Sequence, residues 1–396
     1  MASPERGAVE SDRHSRMLPV LFSVVIVDLI GFGIVIPILP FFADEFGASG
    51  VVLGSVLAIH AAMQFAFAPI WGRLSDRIGR RPVMLMTMAG TAVSLVLFGL
   101  AESVTGLLIA RALSGVFAAN ISVATAYVTD VTAESERTRW MGMIGASFGI
   151  GFLLGPAIGG WLAPYGHGVP IFAAAGMAAV NCVVGALFLR EPERHASAQS
   201  GRMSLREIAG DPVLGPLCGI NFLFTFGVTQ LEAIFAYWMI LRFDYDARGV
   251  AWILVAMALV MATIQGGGMR ALAGRFGERG LLLAGLALMA LAFPLVPVAG
   301  SIAVLMGPLL LAAIGRAIAQ PPMLSLVSMR ADEHNRGRVM GAFQSSASGA
   351  RVFGPVAAGA LFDFDAPLPF QLASACFVLA AVVAVRAARA DVHAAD

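Results

Sequence analysis

The segment Gly72-Arg73-Leu74-Ser75-Asp76-Arg77-Ile78-Gly79-Arg80-Arg81 places four arginines and one aspartate within ten residues. Apolar runs long enough to cross a bilayer flank it, at residues 51–71 and 82–101. A short basic segment between two such runs must lie in water, and its arginine excess marks that side of the membrane as cytoplasmic. Gly72 and Gly79 permit a tight reversal that β-carbons would hinder. The segment therefore predicts a cytoplasmic turn between two transmembrane helices.

The composition is also typical of a membrane protein. The chain has 396 residues, 58% of them hydrophobic and 13% charged, with a mean hydropathy of +0.82. In a soluble domain about half of the residues are apolar and about a quarter are charged. No polar stretch is long enough for a separate soluble domain, and none resembles a nucleotide-binding loop. We therefore predict an all-α polytopic membrane protein that is not driven by its own ATP hydrolysis.

The chain contains twelve apolar runs of membrane-spanning length, for which about 20 residues are needed. The predicted spans are 18–42, 51–71, 82–101, 105–128, 139–164, 168–190, 213–241, 248–270, 280–298, 301–327, 338–362 and 367–388. The longest interior polar stretch divides them into six and six. The predicted organisation is an N-terminal tail at 1–17, a six-helix bundle at 18–190, a linker at 191–212, a second six-helix bundle at 213–390 and a C-terminal tail at 391–396.

Arginines are concentrated on one side of the predicted membrane. The loops on the side opposite to the basic turn hold only Arg242 and Arg248. An even number of spans places both termini on one side, and the arginine excess identifies that side as the cytoplasm. The tails and the linker are therefore predicted to be cytoplasmic.

The two halves of the chain repeat at an offset of 199 residues. The segment Glu134–Gly142 returns as Glu333–Gly341, and the glycine-proline pair at 155–156 returns at 354–355. Duplicated six-helix halves are typical of transporters that bind substrate between the halves near mid-membrane. Chance similarity among apolar helices is the alternative, and charged positions that recur in one register argue against it. We therefore predict two six-helix repeats around a central cavity.

Two acidic residues fall within predicted spans. Asp28 lies in the middle of the first span, where a carboxylate must protonate, pair or face water. A group that changes its protonation with the state of a cavity can couple protons to transport, whereas a fixed ion pair would be structural. Glu232 lies in the seventh span, the repeat partner of the first. It either faces Asp28 across the cavity or forms a hydrogen bond or ion pair at an outer gate.

Three arginines lie within predicted spans, where an arginine points toward a partner or water. Arg111 is a candidate partner for Asp28. Arg316 is a candidate for binding an anionic group or for balancing Glu232, and Arg351 is predicted to form a structural ion pair.

Neutral polar residues and glycines supply the remaining candidates. The candidate cavity residues, for which hydrogen bonds between helices are the alternative, are Gln64, Asn120, Asn221, Gln230, Gln320 and Gln344, beside Asp28, Glu232 and Arg316. Glycines about four residues apart permit close backbone contact, and a proline favours a kink. The fifth span concentrates such residues at Gly149, Gly151, Gly155, Pro156, Gly159 and Gly160.

The basic segment resembles the loop between helices 2 and 3 of major facilitator superfamily transporters. The sequence from Asp28 through 31–40 (GFGIVIPILP) resembles the opening of twelve-helix drug/proton antiporters, especially tetracycline/proton antiporters. The segment Gly145–Gly149 followed by the glycine-proline pair resembles their fifth-helix antiporter motif. The likeness covers nearly the whole chain and is strongest over 20–165.

The resemblance implies roles for matching positions. Asp28 matches the family's helix 1 acid and Arg111 its helix 4 arginine, which is linked to proton transfer; with Glu232, the second acid within a span, they form the candidate proton-coupling set. The resemblance also implies a cytoplasmic gate of Gly72, Asp76, Arg77, Gly79, Arg80, Arg81, Asp130, Arg336 and Arg338, in which Asp130 joins the loop arginines and Asp76 meets the entrance of the eleventh helix. The chain departs from the tetracycline pattern at Ser94, where those transporters carry an acid, so tetracycline as substrate does not follow.

The resulting prediction is a secondary active transporter of the inner membrane, and not an enzyme. It exports small amphipathic drugs or metabolites in exchange for protons, with tetracycline-like compounds among the candidates. We expect the proton gradient as the driving force, no cofactor, no metal, no nucleic acid, a lipid environment and a monomeric state. Proton-coupled uptake of a metabolite or organic anion is the alternative within transport. A non-transporting membrane receptor is the alternative outside it.

Overall fold

The computed structural model describes residues 4–132, 134–192, 203, 205–329 and 336–393. Within these residues every regular element is helical. The α-helices are α1 (Pro4–Asp44), α2 (Gly50–Ile78), α3 (Arg80–Gly99), α4 (Val104–Phe117), α5 (Asn120–Val131), α6 (Glu134–Leu162), α7 (Gly168–Phe188), α8 (Leu205–Gly210), α9 (Leu214–Phe243), α10 (Ala247–Thr263), α11 (Met269–Ala292), α12 (Ile302–Met329), α13 (Arg336–Phe364) and α14 (Leu368–His393).

The described residues hold ten segments that are long and apolar enough to cross a membrane. One of them, Ala247–Leu295, covers two predicted spans, because its helices join through a π-helical turn at Ile264–Gly268 and a kink at Gly277. A further predicted span lies in α13, which is not among the ten. The all-α polytopic fold predicted from the sequence is confirmed.

The basic turn is shorter than the sequence predicts. Helix α2 continues to Ile78 and α3 begins at Arg80, so the chain reverses at Gly79 alone, with φ of 113°. This left-handed conformation explains the glycine. Gly72 lies inside α2, and the prediction that it helps the reversal is wrong because its backbone is helical.

The fourth predicted span is broken into α4 and α5. The break falls at Ala118 and Ala119, without a proline or glycine at the joint. Side chains of α2 bind carbonyls next to the break: Gln64 Nε2 donates to Ala118 O at 3.0 Å, and Trp71 Nε1 donates to Val116 O at 2.6 Å. Exposed backbone groups in a span need such partners, so α2 stabilises the break.

The chain forms two compact units. The first takes its described residues from Met1–Phe46, Ala62–Ser197 and Ala247–Val255. Its core includes Leu21, Val24 and Tyr127, each with no exposed surface. The main contact is between α1 and α6, where a methyl group added at Gly155 would lie 2.5 Å from Gly33 Cα. Glycine is therefore required for this close backbone approach.

The second unit takes its described residues from Gly47–Ala61, Ala198–Asp246 and Ala256–Asp396. Its main contact is between α9 and α13, where Gly354 packs on the side chain of Thr229. At the far end of α13, Asp363 Oδ1 and Oδ2 accept hydrogen bonds from the backbone N–H groups of Gly50 (2.6 Å) and Val51 (2.9 Å). A carboxylate here satisfies first-turn donors of α2 and complements the helix dipole.

Candidate transport and gate sites

Asp28 is held by an amide group. Its Oδ1 accepts a hydrogen bond from Asn120 Nδ2 at 3.1 Å, and Thr87 Oγ1 donates to Asn120 Oδ1. Asn120 is the first residue of α5, so it follows directly on the break in the fourth span, and its amide reaches α1. Thr87 and Asn120 are buried, whereas Asp28 is partly exposed. The carboxylate therefore has a fixed neutral partner and access from outside the core.

Arg111 is not joined to Asp28. It is 5% exposed, and its Nε is buried without a hydrogen-bond partner among the described residues. Arg111 lies on α4, and Asn120 lies beyond the break, at the start of α5. The partner of Asp28 in this structure is the amide of Asn120, and the predicted pairing of Asp28 with Arg111 is not observed.

Glu232 on α9 has a cationic partner. Arg316 Nη1 of α12 donates to Glu232 Oε1 at 2.7 Å, and the two side chains are 27% and 46% exposed. Arg351 of α13 interacts electrostatically with both residues. Of the two alternatives that the sequence left for Arg316, the structure places it beside Glu232.

The neutral candidates divide into internal and exposed groups. Asn221 is buried and donates to Phe343 O at 2.8 Å and to Ser346 Oγ at 3.0 Å. Gln230 is buried and donates to Gly354 O at 3.1 Å. These amides hold α9 against α13. Gln320 and Gln344 are exposed.

The predicted gate contains a compact charge network around Arg80. Its Nε donates to Asp130 Oδ2 at 2.7 Å, and its Nη1 donates to Asp76 Oδ1 at 2.6 Å and to Ser75 Oγ at 2.7 Å. Arg80 is 8% exposed. Its delocalised guanidinium thus bridges two carboxylates, one from α2 that is half-exposed (Asp76) and one from α5 that is nearly buried (Asp130).

Sequence reasoning missed a carboxylate in this network. Glu191 Oε1 and Oε2 accept hydrogen bonds from the backbone N–H groups of Arg80 (2.6 Å) and Arg81 (2.9 Å), so Glu191 caps α3. Arg81 Nη2 donates to Ala186 O at 2.6 Å. The sequence gives only a weak hint, an acid placed directly after the sixth span. Asp363 was also missed, because its hydrogen-bond partners lie 312 and 313 residues away in the sequence.

The other gate candidates are more dispersed. Arg77 is exposed, and a methyl group added at Gly72 would meet nothing within 4 Å. Arg338 Nη2 lies 3.6 Å from Glu207 Oε1. The side chain of Arg336 lies outside the described residues.

The glycines predicted as one motif pack against different neighbours. Added methyl groups at Gly151, Gly155 and Gly159 would meet α1, at 2.6 Å from Leu29 Cβ, 2.5 Å from Gly33 Cα and 3.0 Å from Ile34 O. Pro156 also lies beside Gly33. Gly160 instead packs against Ala251 of α10, and Gly149 has open space.

These features define a class of protein: a polytopic membrane transporter with charged groups inside helical spans and a charge network at one end. The family model described as Major Facilitator Superfamily matches residues 21–273 and 217–395. The chain belongs to this superfamily, whose members are secondary transporters.

Within the superfamily, the chain is similar to drug resistance proteins and to a solved transporter structure. Multidrug resistance protein 1 of Bacillus subtilis (strain 168) is 31% identical over 374 residues, covering 92% of this chain and 94% of that protein. The class D tetracycline resistance protein of Salmonella ordonez is 32% identical over 350 residues, covering 86% and 88%. A crystal structure of the human organic anion transporter MFSD10 (TETRAN) has 27% identity and a TM-score of 0.70, with 94% and 99% covered.

Proposed function

We propose that this chain is a proton-driven antiporter that exports small amphipathic compounds across the inner membrane. The observation that carries the proposal is the setting of Asp28, a carboxylate in the middle of a span that is held by an amide rather than by a cation. Such a group can take up and release a proton without breaking an ion pair. The multidrug and tetracycline resistance proteins among the relatives support export of drug-like compounds.

In the proposed cycle the protonation of Asp28 selects the access state. Substrate binding displaces the proton, and reprotonation from the opposite side releases the substrate and resets the carrier. Asn120 stabilises the charged carboxylate, and Arg111 assists deprotonation through its field. Glu232, in the second unit, contributes charge rather than the exchanged proton. Of the other polar candidates in the second unit, Arg316, Gln320 and Gln344 are open to substrate, whereas Asn221 and Gln230 are buried and serve packing.

The gate and the glycine motif support the exchange. Arg80, Asp76 and Asp130 form the cytoplasmic gate, with Glu191 fixing the start of α3. The close contact of Gly151, Gly155 and Gly159 with α1 limits leak and keeps Asp28 in register. We place both termini in the cytoplasm and assign a monomer as the functional form.

The test is proton movement in inverted membrane vesicles energised to an acid interior. A panel of amphipathic compounds, tetracycline included, is added to vesicles with wild type, Asp28→Asn or the exposed-site control Arg242→Gln. Proton release on addition of a compound, retained in the control and lost in Asp28→Asn, is the expected result. Wild-type release from Asp28→Asn vesicles would overturn the proposal.

The direction of the proton flux separates antiport from the alternative of proton-coupled uptake. A substrate that acidifies the vesicle interior further, rather than releasing protons, would favour uptake. A protein that inserts normally but shows neither proton movement nor counterflow would favour a receptor.

A further inference from the structure

We propose that Arg316 and Arg351 form a binding site for one anionic group of the substrate, so that the transported compounds include organic monoanions and zwitterions. This inference rests on the proposed transport function and names a substrate class for it. It concerns only the second unit, in which all of the participating residues lie.

The first step is the charge balance inside the spans of this unit. Among the described residues, the charged side chains near the middle of α9, α12 and α13 are Glu232, Arg316 and Arg351. Two arginines and one glutamate leave a surplus of one positive charge. Charged groups at membrane depth are paired or face a water-filled space. A single bound anionic group would neutralise the cluster.

The second step is the hydrogen bonding of the two arginines. Arg316 uses Nη1 for Glu232, while its Nε is buried without a hydrogen-bond partner among the described residues. Arg351 has no hydrogen bond or ion pair to any described residue, although it lies within electrostatic range of Glu232 and Arg316. A guanidinium presents donors in a planar fork that matches a carboxylate. The donors of Arg351 are therefore available to a ligand, and Arg316 can contribute only through its terminal nitrogens, because its Nε is buried.

The third step is accessibility. Arg351 is exposed, and Arg316 and Glu232 are 27% and 46% exposed. Exposed glutamines accompany them at helical spacing: Gln320 is one turn after Arg316 on α12, and Gln344 is two turns before Arg351 on α13. Residues at these spacings share a helix face. The cluster is thus part of an open polar face whose glutamines can bind the neutral part of the same compound.

Glu232 then acts as an internal competitor. Its carboxylate already occupies one donor of Arg316, as a substrate carboxylate would. A bound anion shares or displaces this contact. Removing the charge of Glu232 should therefore strengthen anion binding, whereas removing the charge of Arg351 should weaken it.

The test compares two probes of nearly equal shape, naphthylacetate and naphthylacetamide, on purified protein in lipid nanodiscs. Wild type should bind the anion at least about tenfold more tightly than the amide, as expected for charge-assisted hydrogen bonds. Arg351→Gln should abolish this preference, Arg351→Lys should keep part of it, and Glu232→Gln should increase affinity for the anion several-fold. Arg242→Gln is the matched control with an exposed arginine at the end of α9.

Absence of an anion preference in wild type, or its survival in Arg351→Gln, would overturn the proposal. Reduced anion affinity in Glu232→Gln would do the same. Proton exchange with an uncharged or cationic substrate is measured in parallel in vesicles. Proton exchange that persists in Arg351→Gln, together with a lost anion preference, would support both the transport function and the anion site. Loss of proton exchange in wild type would instead count against the transport function alone.

Discussion

The surroundings of Asp28 and Glu232 differ, although α1 and α9 are repeat partners. Asp28 accepts a hydrogen bond from a neutral amide, and Arg111, the arginine of its predicted set, has a buried Nε without a hydrogen-bond partner among the described residues. Glu232 forms an ion pair with Arg316 and lies near a second arginine. An arginine partner compensates the charge of a carboxylate, whereas an amide donates a hydrogen bond and brings no compensating charge. The two acids occupy different positions in the repeat, and in the proposed cycle Asp28 exchanges the proton while Glu232 balances charge.

The largest effect is expected when Asp28 is neutralised, which tests directly whether Asp28 and Glu232 have different roles. Asp28→Asn keeps the size of the side chain and removes the exchangeable proton, so proton-linked transport should fall to the background of empty vesicles. The measurement is proton release from inverted vesicles, with membrane insertion checked by fluorescence-detected gel filtration. Glu232→Gln should retain proton release with an uncharged substrate. Equal losses in both variants would remove the distinction.

A second test asks how much the close packing of α1 against α6 stabilises the unit that contains Asp28. Gly155→Ala puts a methyl group 2.5 Å from the backbone of Gly33, which cannot move aside as a side chain can. Overpacking of this kind costs about 1–3 kcal/mol. The thermal midpoint in detergent should drop clearly in this variant. Gly149→Ala is the control, because a methyl group there meets nothing within 4 Å and should leave the midpoint unchanged.

The amide beside Asp28 provides a third test with a matched control. Asn120 and Asn181 both donate Nδ2 to α1, one to Asp28 Oδ1 at 3.1 Å and the other to Val24 O at 2.9 Å. Asn120→Ala removes a hydrogen bond to an ionisable acceptor, which is worth about 1.5–3 kcal/mol. Its initial rate of proton exchange should fall by about tenfold or more. Asn181→Ala should lose stability but keep the rate per folded molecule, and a matching loss of rate would contradict the assigned role of Asn120.

The smallest effect is expected at the ion pair. Arg316→Gln and Glu232→Gln each remove one partner of a partly exposed pair, which stabilises by about 0–1 kcal/mol. The double variant should unfold near the temperature of either single variant, because the pair is already broken. Thermal unfolding of all four proteins gives the coupling energy. Additive losses would show that the two residues do not interact.

The sequence predicted most of the fold. Apolar run lengths, the arginine asymmetry and the basic segment gave the polytopic helices, because these features follow from the thickness and chemistry of the bilayer. The break at Ala118 and Ala119 was missed. It carries no proline or glycine and depends on Gln64 and Trp71 from another helix, which are tertiary contacts.

Most residues of the candidate sites could be predicted from the sequence, but their contacts could not. Charged residues within spans stand out against apolar sequence, so Asp28, Arg111, Glu232 and Arg316 were found. Their pairing depends on depth and side-chain direction, which sequence spacing does not fix. Thus Asn120 appeared only as one of several cavity candidates, and its contact with Asp28 was not predicted. The caps formed by Glu191 and Asp363 join residues more than 100 positions apart and leave no local pattern.

The most direct test of the central claim is to count protons released when substrate binds to purified protein in weakly buffered solution. The substrate is a compound identified in the vesicle assay, and release is followed with a pH indicator dye at saturating ligand. Wild type and Glu232→Gln are expected to release protons on binding, and Asp28→Asn is expected to bind without release. Release that persists in Asp28→Asn and disappears in Glu232→Gln would contradict the account and move the exchangeable proton to the second unit.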